Sequence, residues 1–263
     1  MRKLGLVILL LMLLVCLAFS QKLQTTEYTI SSEKLTQPVT LAVVSDLHNS
    51  SFGHEQAGLA SAIRASNPDA LLLTGDMAED VQSLTATCDL IQALSTETPV
   101  FYVSGNHECA SGELDEIKDR LRSMGVHVLE GESKILPCGL RIAGADDPLC
   151  LYRQEWRDQI ASLRSEDGVF TVLLAHRPDR VEYYSEGFDL VLAGHAHGGQ
   201  VRIPFLLEDG LWAPNQGLLP RYTSGIHETS GGRMIVSRGL SKGFPPRIFN
   251  RPELVIVHLV PEK

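Results

Sequence analysis

Apolar residues in this chain come in short runs, and most of the longer runs end in glycine, aspartate, asparagine or histidine. Residues 39–44, 70–73, 100–103, 169–175 and 188–193 are too short for free-standing helices and rich in valine and leucine, so they predict buried strands. Between the first three lie segments 54–66 and 80–94, which mix apolar and polar positions and predict helices. The first of these stops at Asn67-Pro68-Asp69, a turn signal. Further helices are predicted over 113–124, ending at Gly125, and over 153–164. Strand, polar loop and helix in succession are the rhythm of a parallel sheet covered on both faces. Residues 126–129 predict a short strand, and 133–137 with 140–143 a hairpin about Cys138-Gly139. Two late apolar runs, 234–237 and 254–259, have no helix between them, so a second sheet is expected to be mixed or antiparallel. No internal repeat appears, and one domain over 38–263 accounts for the pattern.

The N-terminus departs from this pattern. Arg2 and Lys3 precede an apolar run over 4–19, about the length of a signal-peptide core and short of the roughly 20 residues of a comfortable span. Ala18-Phe19-Ser20 sets up a cut before Gln21. Residues 1–20 therefore read as a signal peptide or a retained signal anchor, and either sends the remainder out of the cytoplasm. Residues 21–37 read as a tether or a first edge strand.

A formal charge of −9 argues against a non-specific polyanion binder, and no nucleic-acid platform is evident, but a phosphate substrate stays open, since metal ions can supply positive charge. Four cysteines follow the leader, Cys88, Cys109, Cys138 and Cys150, a number that permits disulfides after export. None forms a CxxC pair, which argues against a cysteine zinc site.

The chemistry lies at the strand ends. Asp46 and His48 follow the first strand, Asp76 the second, Asn106 and His107 the third, His176 the fourth, and His195 and His197 the fifth. One such residue after a strand is ordinarily a cap or a surface group. Five loops carrying metal-ligand side chains on one side of a parallel sheet, where ligands gather, form a site.

The ordered motifs Asp46-Leu47-His48, Gly75-Asp76, Gly105-Asn106-His107-Glu108, Ala175-His176-Arg177-Pro178 and Gly194-His195-Ala196-His197 resemble those of the calcineurin-like metallophosphoesterases. The likeness covers nearly all of the chain after the leader. Gly198-Gly199-Gln200 with Arg202-Ile203-Pro204, and Arg238-Gly239-Leu240 before Pro246-Arg247, are similar to the bacterial exported or membrane-associated phosphodiesterase branch.

That resemblance implies an α/β fold, a four-layer αββα sandwich of two mixed sheets flanked by helices. It implies two divalent ions per chain, of Mn, Fe or Zn. Asp46, His48 and His197 would hold one, and Asn106, His176 and His195 the other, with Asp76 bridging. A metal-bridging hydroxide would attack phosphorus in line, and His107 would stabilise the transition state and protonate the leaving oxygen. Parts of the family orient this histidine with an aspartate three positions after the bridging one. Here that position is Glu79, so Glu79 or Asp80 is the candidate partner. The absence of a tyrosine there disfavours an iron-tyrosinate enzyme. Arg177 is offered as a substrate contact or as a solvated surface arginine. Gly194, Gly198 and Gly199 would let the last loop fit between two ions.

The expected activity is hydrolysis of phosphodiesters, with monoesters as further candidates. A lipid-linked nucleotide pyrophosphatase, such as a UDP-diacylglucosamine hydrolase, is the alternative enzyme. It is suggested by the leader and by the apolar loop over 205–222. A metal- or cell-wall-binding surface protein is the non-enzymatic alternative. The expected location is outside the cytoplasm, secreted or anchored to the outer face of the cytoplasmic membrane.

Overall fold

The computed structural model describes residues 2–164, 168–184, 186–243 and 245–262. The outer limits assigned to the leader and the domain, residues 1 and 263, lie outside the described residues. Helix α1 (Arg2–Ala18) leads into β1 (Gln24–Ser32) and β2 (Val39–Val44). Helix α2 (Ala57–Ala65), β3 (Ala70–Thr74), α3 (Thr85–Leu94) and β4 (Val100–Val103) repeat the alternation. The short α4 (Asn106–Ala110), then α5 (Leu114–Ser123) and β5 (His127–Val128), complete the first half.

The second half begins with the hairpin β6 (Glu132–Ile135) and β7 (Arg141–Gly144), followed by α6 (Arg153–Leu163). Strands β8 (Thr171–Leu174) and β9 (Leu190–Ala193) lead into the last two histidine motifs. A small hairpin of β10 (Trp212–Ala213) and β11 (Gly217–Leu218) precedes β12 (Gly225–Glu228), β13 (Arg233–Val236) and β14 (Glu253–Pro261).

Two six-stranded sheets result, in the orders β1-β14-β2-β3-β4-β5 and β12-β13-β9-β8-β7-β6. Strands β2 to β5 are parallel, and so are β7, β8, β9 and β13. Antiparallel pairing enters through β14 with β2, β12 with β13 and β6 with β7, so both sheets are mixed. The two late strands separate: β13 joins the second sheet and β14 the first.

Alternation along the strands sets three apolar layers. Leu41, Val43, Leu72 and Phe101 face Ile142, Val172, Leu174 and Leu192 between the sheets. The intervening Ala42, Val44, Leu71 and Leu73 pack against Leu59, Leu90 and Ile117 of α2, α3 and α5. Beyond the second sheet, Leu173, Val191 and Met234 pack on Trp156, Ile160 and Leu163 of α6. The architecture is the four-layer αββα sandwich.

Several details differ from the sequence reading. Residues 54–56 form a 3-10 turn with a left-handed Glu55, and α-helix starts only at Ala57. The start of the Asn106-His107-Glu108 loop is itself helical, as α4. Of the two readings of residues 21–37, tether or edge strand, residues 24–32 form the edge strand, parallel to β14 over its whole length. Helix α1 keeps its large apolar side chains exposed and meets the domain at Ala18, whose carbonyl accepts Phe249 N–H at 2.7 Å. No helix among the described residues is long and apolar enough to cross a membrane.

Candidate metal centre

The five motif loops leave the carboxyl ends of β2, β3, β4, β8 and β9 and converge across the gap between the two sheets. Convergence demands unusual backbone. Asp46, His48, Asp76, His195 and His197 all have φ between 45° and 66°, in the left-handed region. Each non-glycine residue held there costs on the order of 1–3 kcal/mol, a form of strain that concentrates at functional sites. Glycine relieves the tightest approaches. A Cβ on Gly105 would collide with Asp76 Oδ1, and one on Gly194 with Ser45 Oγ.

The candidate ligand atoms of Asp46, His48 and His197 lie within 4.8 Å of one another. Those of Asp76, His176 and His195 form a second group of the same size. His48, Asp76 and His107 form a third, which joins the other two. Asp76 Oδ2 is central: Nε2 of His176 stands 3.1 Å away, that of His48 3.7 Å and that of His107 3.9 Å.

Each imidazole is held by its other nitrogen. His176 Nδ1 donates to the Thr74 carbonyl at 2.8 Å. His48 Nδ1 meets one oxygen of Glu79 at 2.7 Å, and His107 Nδ1 meets the other oxygen of the same carboxylate. His197 Nδ1 lies 3.3 Å from Ser241 Oγ, and His195 Nε2 lies 2.7 Å from Asn215 Oδ1. Such outer partners fix the tautomer and aim the remaining nitrogen inward.

The loops are also tied to each other. The buried carboxylate of Glu108 accepts the backbone N–H groups of Asp76, Met77, Ala78 and Gly105. Asp46 accepts His195 N–H through both oxygens, at 3.0 and 3.1 Å. Cys109, at the end of the helical turn, is disulfide-bonded to Cys150, while Cys16, Cys88 and Cys138 are free thiols.

Burial opposes every charge in this cluster. It would raise Asp46 and Asp76, but the surrounding imidazoles outweigh it and hold both carboxyls below their ordinary range. His176 is pulled down by burial and up by Asp76, and the carboxylate wins, bringing it to about 10. His197 falls to about 4, chiefly through burial. Glu108 rises to about 7 through burial and then the Asp76 charge.

The residues fit divalent ions on a direct structural test. Buried polar atoms ordinarily find a hydrogen-bond partner. His48 Nε2, Asp76 Oδ2 and Asn106 Oδ1 are buried and make none. All three belong to side chains that the sequence motifs offer as candidate ligands, and nitrogen and oxygen donors of this kind suit divalent first-row metals.

A cleft of about 560 Å³ opens over the cluster, lined by His48, His107, His197 and Glu79, with Trp212, Lys242 and Arg247 among its walls. Arg177 is not in that wall. It is buried, with Nε on Asp147 at 2.7 Å and Nη1 on Asn215 at 3.0 Å. The alternatives of solvated surface and cleft contact thus give way to a buried ion pair behind His195. Asn215 and Ser241 carry no signal of their own, because each is a lone polar residue in a loop far from the histidine it touches.

Residues 39–199 match a family model described as calcineurin-like phosphoesterase. An uncharacterized metallophosphoesterase of Aquifex aeolicus is 31% identical over 245 residues, covering 89% of this chain and 91% of that protein. Phosphodiesterase YaeI of Escherichia coli is 30% identical over 234 residues, covering 85% and 83%. Among solved structures, the sulfate thiohydrolase SoxB of Thermus thermophilus shares the fold. It has a TM-score of 0.51 and 14% identity, and the match covers 84% of this chain and 56% of that one.

Proposed function

Since this chain belongs to the calcineurin-like phosphoesterase family of dimetal-dependent hydrolases, we propose that it cleaves phosphodiesters in the cleft above Asp76. The observation that carries this reading is the buried Asp76 Oδ2, approached by the Nε2 atoms of three imidazoles, with His48 Nε2 and Asn106 Oδ1 likewise buried and making no hydrogen bond. The likeness to Phosphodiesterase YaeI supports a diester over a monoester.

Asp46, His48 and His197 would hold one ion, Asn106, His176 and His195 the other, and Asp76 both. When bound, the two ions supply a nucleophile of lowered pKa and positive charge at the phosphoryl oxygens. His107 belongs to the proton-transfer step. Its Nδ1 is engaged by Glu79, and its ring is 39% exposed at the cleft, so Nε2 is free to give a proton to the leaving oxygen. Glu79 keeps the ring's orientation through Nδ1, as a carboxylate does for a general-acid histidine. Glu108, tying four backbone N–H groups together, keeps the Asp76 and Asn106 loops in register.

The experiment is hydrolysis of an aryl phosphodiester by the purified protein with Mn²⁺, beside Asp76→Asn and His107→Asn. No turnover with any divalent ion would sink the proposal and favour a metal- or cell-wall-binding role.

A second reading places the substrate in a membrane, as for a lipid-linked nucleotide pyrophosphatase. Phe205, Leu206, Leu218 and Leu219 are each more than two-thirds exposed, in a segment whose Trp212 and Pro214 line the cleft. The base of α1 is seated on Phe249, and the adjoining Ile248 bridges to Val201 beside that segment. An apolar helix and an exposed apolar segment joined through the Val201–Ile248 bridge favour work at a bilayer. The Cys109–Cys150 disulfide favours a site outside the cytoplasm. Comparing a lipid-linked nucleotide pyrophosphate with a soluble diester decides between the two substrates.

A further inference from the structure

Arg247 is out of electrostatic balance. It is only 2% exposed and lines the cleft together with His48, His107 and His197. Its Nη2 donates to the Arg238 carbonyl at 2.5 Å and to Ser241 Oγ at 3.1 Å. Its Nε and Nη1 are buried and make no hydrogen bond. Arg238 in the same region has its charge met by Glu253 at 2.9 Å, whereas Arg247 has no such partner among the described residues.

A buried charge without an anion is costly, and buried charges are ordinarily paired. Burial already drives the guanidinium down to about 10. Asp46 acts on it from nearby but is committed to His195 N–H and to its place among the metal-ligand groups. Two divalent ions would make this end of the cleft more positive still. Lys242, on the same wall, also has no carboxylate partner among the described residues: its Nζ donates to the Ser51 carbonyl at 2.6 Å and sits 3.5 Å from the Phe52 ring centre. The chain as a whole carries −9, so these two cations are not part of a generally basic surface.

We infer that Arg247 is a substrate-binding residue whose free N–H donors take a phosphoryl oxygen of the phosphoester in the cleft. The inference rests on the hydrolase reading for the identity of the anion. It rests on the unpartnered donors for the site itself. A guanidinium is suited to this because it stays charged when buried and binds phosphate through directed N–H groups.

The test is isothermal titration of inorganic phosphate into Mn²⁺-loaded protein, with elemental analysis of metal content. Arg247→Gln should weaken phosphate about 10- to 100-fold, the loss of a charge-assisted hydrogen bond, with two ions per chain retained. Arg247→Lys keeps the charge without the directed donors, so it should show a smaller loss; it serves as the test if Arg247→Gln does not fold. Unchanged phosphate affinity in either folded variant would overturn the inference. Loss of ions from Arg247→Gln would do so too, by placing Arg247 behind His197 through Ser241. A wild-type protein that binds no phosphate also overturns it. Binding is read without turnover, so a protein that binds phosphate through Arg247 yet hydrolyses no ester defeats the hydrolase reading alone.

Discussion

Asn215 Oδ1 lies 2.7 Å from Nε2 of His195, and the contact leaves His195 Nδ1 facing His176 Nε2 at 3.2 Å. The same amide oxygen receives Arg177, which is braced by Asp147. A carboxylate, a guanidinium and an amide therefore set the angle of one candidate ligand. Asn215→Ala should weaken the ion on the His176 and His195 side by about 10- to 100-fold. Competition with a chelator of known affinity measures this; equal affinity in the variant would show that Asn215 only packs.

Glu79 serves two histidines with its two oxygens. A glutamine can present one acceptor and must turn its amide N–H groups toward the other imidazole. Glu79→Gln is expected to lower kcat by about 10²-fold, the scale of a misplaced general acid, with a smaller change in KM. Steady-state kinetics on an aryl diester gives the split, and an unchanged kcat would remove Glu79 from the proton-transfer step.

Without metal, His176 donates through Nδ1 to Thr74 and lies with Nε2 on Asp76. Its pKa, raised to about 10, keeps it protonated at neutral pH. A metal ligand must be neutral, so loading should release this proton. The sign follows: apparent affinity rises with pH up to about 10 and flattens above it. Titration calorimetry in buffers of different ionisation enthalpy counts the protons, and a release of none contradicts the assignment.

Glu108 answers four backbone donors from two loops. Glu108→Ala would leave all four buried and unmet, at about 1–3 kcal/mol for each group that water cannot reach. The expected outcome is a fall in Tm of many degrees or failure to fold. Glu108→Gln, which keeps one acceptor oxygen, should lose less. Thermal unfolding of the two variants side by side provides the check.

The strands and the motif loops were legible because each was written locally. An apolar run of the right length followed by aspartate or histidine needs no distant partner to be read. The edge strand β1 was ambiguous since Thr25, Thr26 and Thr29 hide it among polar residues; its partner, β14, is at the other end of the chain. Helix α4 has five residues, too few for periodicity to show. Asn215 and Ser241 were invisible because an asparagine or serine in a long loop looks the same whether or not a histidine waits beside it. Arg177 was legible as a charge but not in direction, which depends on Asp147 and Asn215.

β14 has a consequence for how the molecule is made. It lies between β1 and β2, so Thr26 bonds Glu253 across 227 positions. Closing a loop of that length costs about 5 kcal/mol in chain entropy, recovered only when the whole strand zips. A growing chain therefore carries β1 without a neighbour and β2 with one raw edge until residues 253–261 emerge from the ribosome. The first sheet cannot be finished early. Emergence of β14 is therefore the event that completes this sheet, and a nascent chain halted short of β14 should remain protease-sensitive and available to chaperones.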